Sequence, residues 1–416
     1  MKVLCVLTNK FPYTTVEPYL ESEVLHYKAF DKVYIFSLMV KKSEETNRRE
    51  IPNNISVYPI RNDKIRYILS GIKVFFDINF YRELKVIKER NGINLRRILT
   101  LLIYLSRASV DSNRIYELMK NKLENQEIAL YSYRFEYQPY TALLVKKKLH
   151  MNNALVASRA HGYDLYEERA AGQYIPLRNY LLENLDYIFP CSEAGAIYLK
   201  KQYPKWKDKI NRRYLGTIDC GIEEFKYAET LFRIVSCSNI VKIKRIDRII
   251  DVLSILDIHN IEWVHFGSGE ESEKIHQLAE NKLSRSNVNV VFMGRRKNAD
   301  IMDYYKNNNV NLFLNLSDGE GLPVSIMEAF SFGIPCVATD VGGTSEIIKH
   351  GINGFLVNVK ETDASIAKTI ERIADMDEKE YMRLRDEARN TWRKQFDAEQ
   401  NYKQFVSDLL DYCISD

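Results

Sequence analysis

A chain of 416 residues is long enough for two or three domains with sizeable cores, and 45% hydrophobic with 28% charged residues is the make-up of an ordinary folded protein. The formal net charge of +4 is thin over that length and no DNA- or RNA-binding motif accompanies it, which argues against a nucleic-acid partner. The longest apolar run, "ILTLLIYL", falls far short of the ~18 residues that read as a membrane-spanning helix.

The first residues, "MKVLCVL", offer one Lys and a short apolar run without a small-residue cleavage site, which reads as a first β-strand and not as a signal peptide. Further strand-like runs follow at "KVYIFSL", "IALYSYR", "ALVASRAHG" and "YIFPCS". Among them, residues 61–123 carry 14 Lys or Arg against six Asp or Glu, interleaved with Tyr, Phe and Leu. Such a stretch suits an anionic membrane surface and equally suits amphipathic helices packed on a sheet. The text turns irregular over 217–232, and a fresh series begins: "RIVSCS", "IEWVHFGSG", "VNVVFMG", "VNLFLNLS", "IPCVATD" and "NGFLV", each separated by helix-length stretches. Strands alternating with helices imply parallel sheets in doubly wound α/β units. The expected domains are 1–225 and 226–388, followed by 389–416 with helical apolar spacing at Trp392, Phe396, Tyr402, Phe405 and Leu409. The six cysteines (Cys5, Cys191, Cys220, Cys237, Cys336, Cys413) form no C-x-x-C pair, and several lie in apolar runs. Buried reduced thiols and a soluble, cytoplasmic chain are therefore expected.

The segment "EGLPVSIME" places Glu320 and Glu328 at its two ends. Before it, "VNLFLNLS" reads as a buried strand ending in a turn at Asp318 and Gly319; after it, Pro323 suits the first turn of a helix that Gly333 and Pro335 stop. Ligands of open α/β sheets bind outside the carboxyl ends of the strands, and helix N-termini attract phosphate. Two carboxylates at such a junction accept hydrogen bonds from hydroxyls, and a sugar nucleotide carries both hydroxyls and phosphates. A lone pair of glutamates there is more often simply solvated.

The surrounding residues carry a resemblance. "DGEGLPVSIMEAFSFGIPCVATDVGGTSEIIKHGINGFLV", with Gly342, Gly343 and Glu346 after the pair, resembles the donor-binding core of GT-B glycosyltransferases of family 4, whose signature is E-x7-E. "IVSCSNIVKIKRIDRIIDVL", "HFGSGEESEKI" and "VVFMGRRKNADIMDYY" are similar to the family's preceding strands and loops, and "PCSEAGAIYLKKQYP" and "YLGTIDCG" to the end of its N-terminal domain. The resemblance implies two Rossmann-like domains facing across a cleft, with the donor on the second, the acceptor on the first, and the C-terminal helix crossing back to the N-terminal domain.

By the same resemblance Glu328 holds the ribose hydroxyls, while Glu320 and the backbone of Gly321, Leu322, Pro323 and Val324 hold the transferred sugar, with Gly267 also on the donor side. The family's R-x4-K pair, which stabilises the departing diphosphate without a metal, falls here on Asn239 and Lys244, so the Arg is missing; Lys242 or Arg245 is a substitute source of charge, or Asn239 serves as a hydrogen-bond donor in its place. His161 in "SRAHGYDLYEER" matches the family's cleft histidine, flanked by Arg159 and Asp164. "TNKFPYTTVEPYLESEV" replaces the usual glycine-rich first loop; Glu17 and Tyr13 offer hydrogen bonds to acceptor hydroxyls, although turn formation explains the prolines equally well. The D-x-D at Asp375 and Asp377 sits in a charged stretch that reads as a solvated helix, so no metal site is expected.

These readings add up to a retaining hexosyltransferase with no cofactor beyond its co-substrate, a UDP-linked nucleotide sugar. Its acceptor is expected to be a polysaccharide or a lipid-linked oligosaccharide, reached in the cytoplasm with peripheral contact to the inner face of an anionic membrane. The alternative is a noncatalytic GT-B accessory module that binds glycan or a partner transferase.

Overall fold

The computed structural model describes residues 1–414 apart from 124, 125, 224, 228, 229 and 285. These fall into two units: Met1–Tyr214 with the C-terminal segment from Glu399, and Leu215–Ala398.

The first unit is built on a parallel sheet of β1 (Lys2–Thr8), β2 (Lys32–Val40), β3 (Ile55–Arg61), β4 (Glu127–Ser132), β5 (Leu155–Ala160) and β6 (Tyr187–Pro190), in the order β3-β2-β1-β4-β5-β6. Successive side chains of a strand point to opposite faces, so Val3, Cys5 and Leu7 enter one core and Leu4 and Val6 the other. Both faces are covered, which is why these strands read as unbroken apolar runs. One cover is helix Leu95–Met119, which contributes Leu101, Leu105, Ala108 and Ile115; on the other face Phe405, Val406 and Leu409 of helix Ala398–Ile414 pack against Leu4 and Val6. Asp63, Asp77 and Asn94 start helices Lys64–Val74, Ile78–Val86 and Leu95–Met119, each side chain accepting a backbone N–H of the first turn. Strand β3 contains Pro59, which lacks the N–H that a central strand needs; the edge position of β3 accommodates it.

The second unit repeats the plan with β7 (Phe232–Cys237), β8 (Ile261–Phe266), β9 (Val288–Gly294), β10 (Leu312–Asn315), β11 (Cys336–Thr339) and β12 (Gly354–Val357), ordered β12-β11-β10-β7-β8-β9. All pairs in both sheets are parallel, and the two strand orders are the same when each is counted from its own first strand. Each unit is a Rossmann-like, doubly wound domain. The order reverses between β1 and β4 in one and between β7 and β10 in the other, and loops leaving those neighbours frame a crevice.

The units divide at 214/215 and 398/399, where the sequence suggested 225/226 and 388/389. Hydrogen bonds explain the difference. Thr217 N–H donates to Phe396 C=O at 2.9 Å, Trp392 Nε1 donates to Thr217 Oγ1 at 2.7 Å, and Arg389 pairs with Asp219, so the segment after Tyr214 is held by helix Glu378–Gln395 inside the second unit. The apolar spacing from Trp392 to Leu409 therefore covers two helices, with Trp392 and Phe396 buried in the second unit and Tyr402, Phe405 and Leu409 in the first. Cys5, Cys191 and Cys336 are buried free thiols, whereas Cys220 and Cys237 are partly exposed; the side chain of Cys413 lies outside the described residues.

Candidate active site

In the second unit, the loops after β7 and β10 meet because these strands are neighbours at the order reversal. Lys244 closes the 3-10 turn Lys242–Lys244 after β7 and donates to both carboxylate oxygens of Glu320, each at 2.7 Å. Asn315, the last residue of β10, donates to the same carboxylate at 3.1 Å, and its own Oδ1 accepts from Ser317 N–H and Oγ, which tightens the turn. Asp318 N–H donates to Ile243 C=O at 2.8 Å, locking the two loops together through the backbone.

Behind Glu320 runs the glycine pair. A Cβ on Gly342 (φ +57°) would lie 2.1 Å from the Glu320 carbonyl oxygen, and Gly343 N–H donates to Gly321 C=O at 2.6 Å. Only glycine tolerates that approach, so the turn presses on the backbone of 320–321 and aims the Glu320 side chain at Lys244. Gly267 does the same on the other side: its Cβ would lie 1.8 Å from Ser238 C=O, so the loops after β7 and β8 touch backbone to backbone.

Glu328 lies in the second turn of helix Val324–Ser331, whose N-cap is Pro323. Burial pushes its pKa up from 4.5 to about 7, against the opposing hydrogen bond from Asn298 Nδ2 at 2.6 Å. A buried carboxyl group hydrogen-bonded by Asn298 at this strand-to-helix junction has lone pairs left for hydrogen bonds from a ligand. Asn239 is exposed on the loop after β7, Lys242 is exposed, and Arg245 turns to Asp247 and Asp318 from a left-handed backbone (φ +50°). Of the basic residues around 242–245, Lys244 is the one paired with Glu320.

In the first unit the corresponding loops, after β1 and β4, also meet, but through Glu17. Its carboxylate accepts from the backbone N–H groups of Asn9, Lys10 and Phe11 at 2.9 to 3.1 Å and from Arg134 Nε at 2.9 Å. Glu17 therefore clamps the first loop from within and is not offered to an acceptor, a correction to the sequence reading. Tyr13 is buried and bridges to Arg48 through its backbone, and is likewise no surface donor. Arg159 is fully enclosed, donating to Tyr131 Oη, Arg213 C=O and Glu23 Oε2. A guanidinium so engaged braces the sheet and cannot reach a ligand.

His161 follows β5 directly as the N-cap of helix Gly162–Leu165, its ring packed against Tyr133 and Tyr163. Asp164 accepts from the N–H groups of His161 and Phe135, and its Oδ2 lies 3.6 Å from His161 Nδ1. Burial disfavours the imidazolium, but the Cys191 sulfur and the Asp164 carboxylate outweigh it and push the His161 pKa up to about 9. Asp164 is thus a positioning residue for His161. Sequence reasoning missed Asn298, Asn315, Arg134 and Tyr133. A lone Asn closing the apolar run "VNLFLN" and an Arg closing "IALYSYR" were the available signals. Asp377, half of the D-x-D, caps helix Glu378–Gln395 by accepting Glu380 N–H, and among the described residues no cluster of three or more His, Cys, Asp or Glu fits a metal ion.

Residues 222–391, within this second unit, match the family model described as glycosyl transferases group 1. The matched segment contains Lys244, Glu320 and Glu328. The chain is 27% identical over 196 residues to N-acetyl-alpha-D-glucosaminyl L-malate synthase of Bacillus anthracis, a match spanning 47% of this chain and 49% of that relative. The chain thus spans about half the length of that curated relative. Over the whole chain the fold is similar to that of TarM from S. aureus, solved with fondaparinux, alpha-GlcNAc-glycerol and UDP (TM-score 0.68, 14% identity, 100% of both chains). It is also similar to that of HepE from Anabaena, solved with UDP and glucose (TM-score 0.67, 16% identity, 99% of both chains). The fold these structures share with the chain is GT-B.

Proposed function

We propose that the protein is a retaining glycosyltransferase that moves a hexosyl unit from a UDP-linked sugar to a polysaccharide or lipid-linked oligosaccharide acceptor in the cytoplasm. The observation that carries this reading is the separation of the two carboxylates of the matched segment. Glu320 is ion-paired with Lys244 and hydrogen-bonded by Asn315, whereas Glu328, one and a half turns into the helix, is desolvated and hydrogen-bonded by Asn298. In this reading Glu328 takes the ribose hydroxyls. Glu320 and the backbone from Gly321 to Val324 take the transferred sugar, and Gly267, whose backbone lies close against Ser238, faces the donor. The UDP found with TarM and HepE supports the choice of base.

Lys244 has three N–H donors, so it can turn one to a phosphate while keeping Glu320. It then stabilises charge as the anomeric C–O bond breaks, together with the amides at the start of helix Val324–Ser331. In a front-face step the acceptor oxygen bonds to the anomeric carbon on the side the diphosphate leaves, and the hydroxyl proton passes to the departing phosphate oxygen. No metal or further cofactor enters this step. In this reading His161 lies beside the transferred sugar, its place set by Asp164. Thermal-shift screening against nucleotide sugars, followed by the anomeric configuration of the product by NMR, tests the reading. UDP-sugars should stabilise the fold, and an inverted product would overturn the retaining mechanism. The exposed Asn239, standing where relatives of this type carry Arg, favours one second reading, the noncatalytic accessory module; it is supported if donor binds but neither transfer nor hydrolysis occurs.

A further inference from the structure

Of the 22 large hydrophobic side chains exposed among the described residues, 12 lie between Ile65 and Ile103 of the first unit. Scattered exposed hydrophobics are ordinary, but such a concentration marks a surface meant to be covered. Helix Lys64–Val74 is apolar on both sides. Tyr67, Ser70 and Val74 turn inward, with Tyr67 Oη donating to the buried Asp111. Ile65, Ile68, Leu69 and Ile72, at i, i+3, i+4 and i+7, form a second stripe that faces outward. Phe75, Phe76 (87% exposed) and Ile78 extend it through the turn into helix Ile78–Val86, and helix Leu95–Met119 opens with its own outward stripe of Leu95, Leu99 and Ile103.

The charge around these side chains is one-sided. Residues 64–97 carry nine Lys or Arg and three Asp or Glu. Of the three acids, Glu83 is buried, accepting from Tyr174 Oη and Leu177 N–H, and Asp77 is used as a cap and by Tyr140 Oη. The exposed Lys64, Arg66, Lys73 and Arg82 are interleaved with the apolar stripe. We propose that this face docks on an anionic lipid bilayer, with the Ile and Phe tips entering the headgroup boundary and the basic residues meeting lipid phosphates. Apolar tips flanked by Lys and Arg are the chemistry of an interfacial helix. A second copy of the chain is the poorer occupant, because two such faces would bring like charges together. No helix among the described residues is long and apolar enough to cross the bilayer, so the contact is peripheral.

Vesicle co-flotation of the full chain tests the proposal. The chain should float with vesicles containing phosphatidylglycerol at low salt, and less so with phosphatidylcholine alone or as salt rises. Replacing Ile68 and Phe76 together by Ser, or Arg66 and Lys73 together by Gln, should each lower the bound fraction by roughly tenfold or more. All four side chains are exposed, so circular dichroism should show the fold unchanged. Absence of flotation at low salt, or undiminished flotation of the double variants, overturns the proposal. So does a concentration-dependent dimer that Ile68→Ser and Phe76→Ser dissolve in place of lipid binding, which would make the face an interface between copies.

Discussion

Lys244 and Glu328 carry opposite expectations for stability and turnover. Lys244→Ala should lower kcat by roughly a hundredfold or more while changing donor affinity less, since its charge matters most as the sugar bond breaks. Lys242→Ala, at an exposed side chain, should be mild. Asn239→Ala should lower turnover roughly tenfold if Asn239 donates to the diphosphate. Steady-state kinetics of the three variants separate these cases, and a normal Lys244→Ala enzyme would place the cation elsewhere. Glu328 is a carboxyl group whose folded pKa, about 7, stands above the ordinary 4.5. The folded state therefore keeps a proton that the unfolded chain has already lost, so Glu328 costs stability progressively as pH rises from about 4.5 to 7 and a constant amount above. Glu328→Gln removes that cost. It should unfold later in urea than the parent at pH 8 by on the order of 1–3 kcal/mol, with no gain near pH 4, while binding donor more weakly. Equal stabilities at both pH values would refute the buried-charge account.

At the scale of elements, the site depends on glycines that let loops touch. Gly342→Ala puts a Cβ against the Glu320 carbonyl in a left-handed backbone, so it should cost about 1–3 kcal/mol in denaturant unfolding and abolish donor-induced stabilisation. Gly351 shares the left-handed backbone (φ +76°) but has open space around it. Gly351→Ala should therefore cost only the backbone term, about 1–2 kcal/mol, and leave donor binding intact. A Gly342→Ala protein that still binds donor would show that the turn does not aim Glu320. In the first unit, the clamp of Glu17 on three consecutive backbone N–H groups gives the first loop its shape without the glycines expected there.

For the whole molecule, each unit presents loops at its own order reversal, and each should answer to its own ligand. Donor should slow hydrogen exchange in the loops after β7, β8 and β10, and acceptor in those after β1, β4 and β5, measured by mass spectrometry. Protection confined to one unit with both ligands bound would contradict the division of labour. Chelator should leave turnover unchanged, and a strict requirement for a divalent ion would count against Lys244 as the main charge stabiliser.

Apolar runs such as "KVLCVL" and "VNLFLNLS" announced buried parallel strands because residues covered on both faces need no polar alternation. The E-x7-E spacing and the glycine pair were equally legible, since a strand, a turn and a helix start are local events. Strand β3 was not picked out, because Pro59 argues against a strand until its edge position is known. The reading of Glu17, Tyr13 and Arg159 as acceptor groups failed for a different reason. Polar side chains at strand ends look alike in sequence, whether they face a ligand or, like Arg159 against Glu23 and Tyr131, satisfy one another in the interior. Those pairings join residues far apart in the chain, Arg134 with Glu17 and Lys244 with Glu320 among them, and only the strand order that makes β1 the neighbour of β4 and β7 the neighbour of β10 brings them within hydrogen-bond reach.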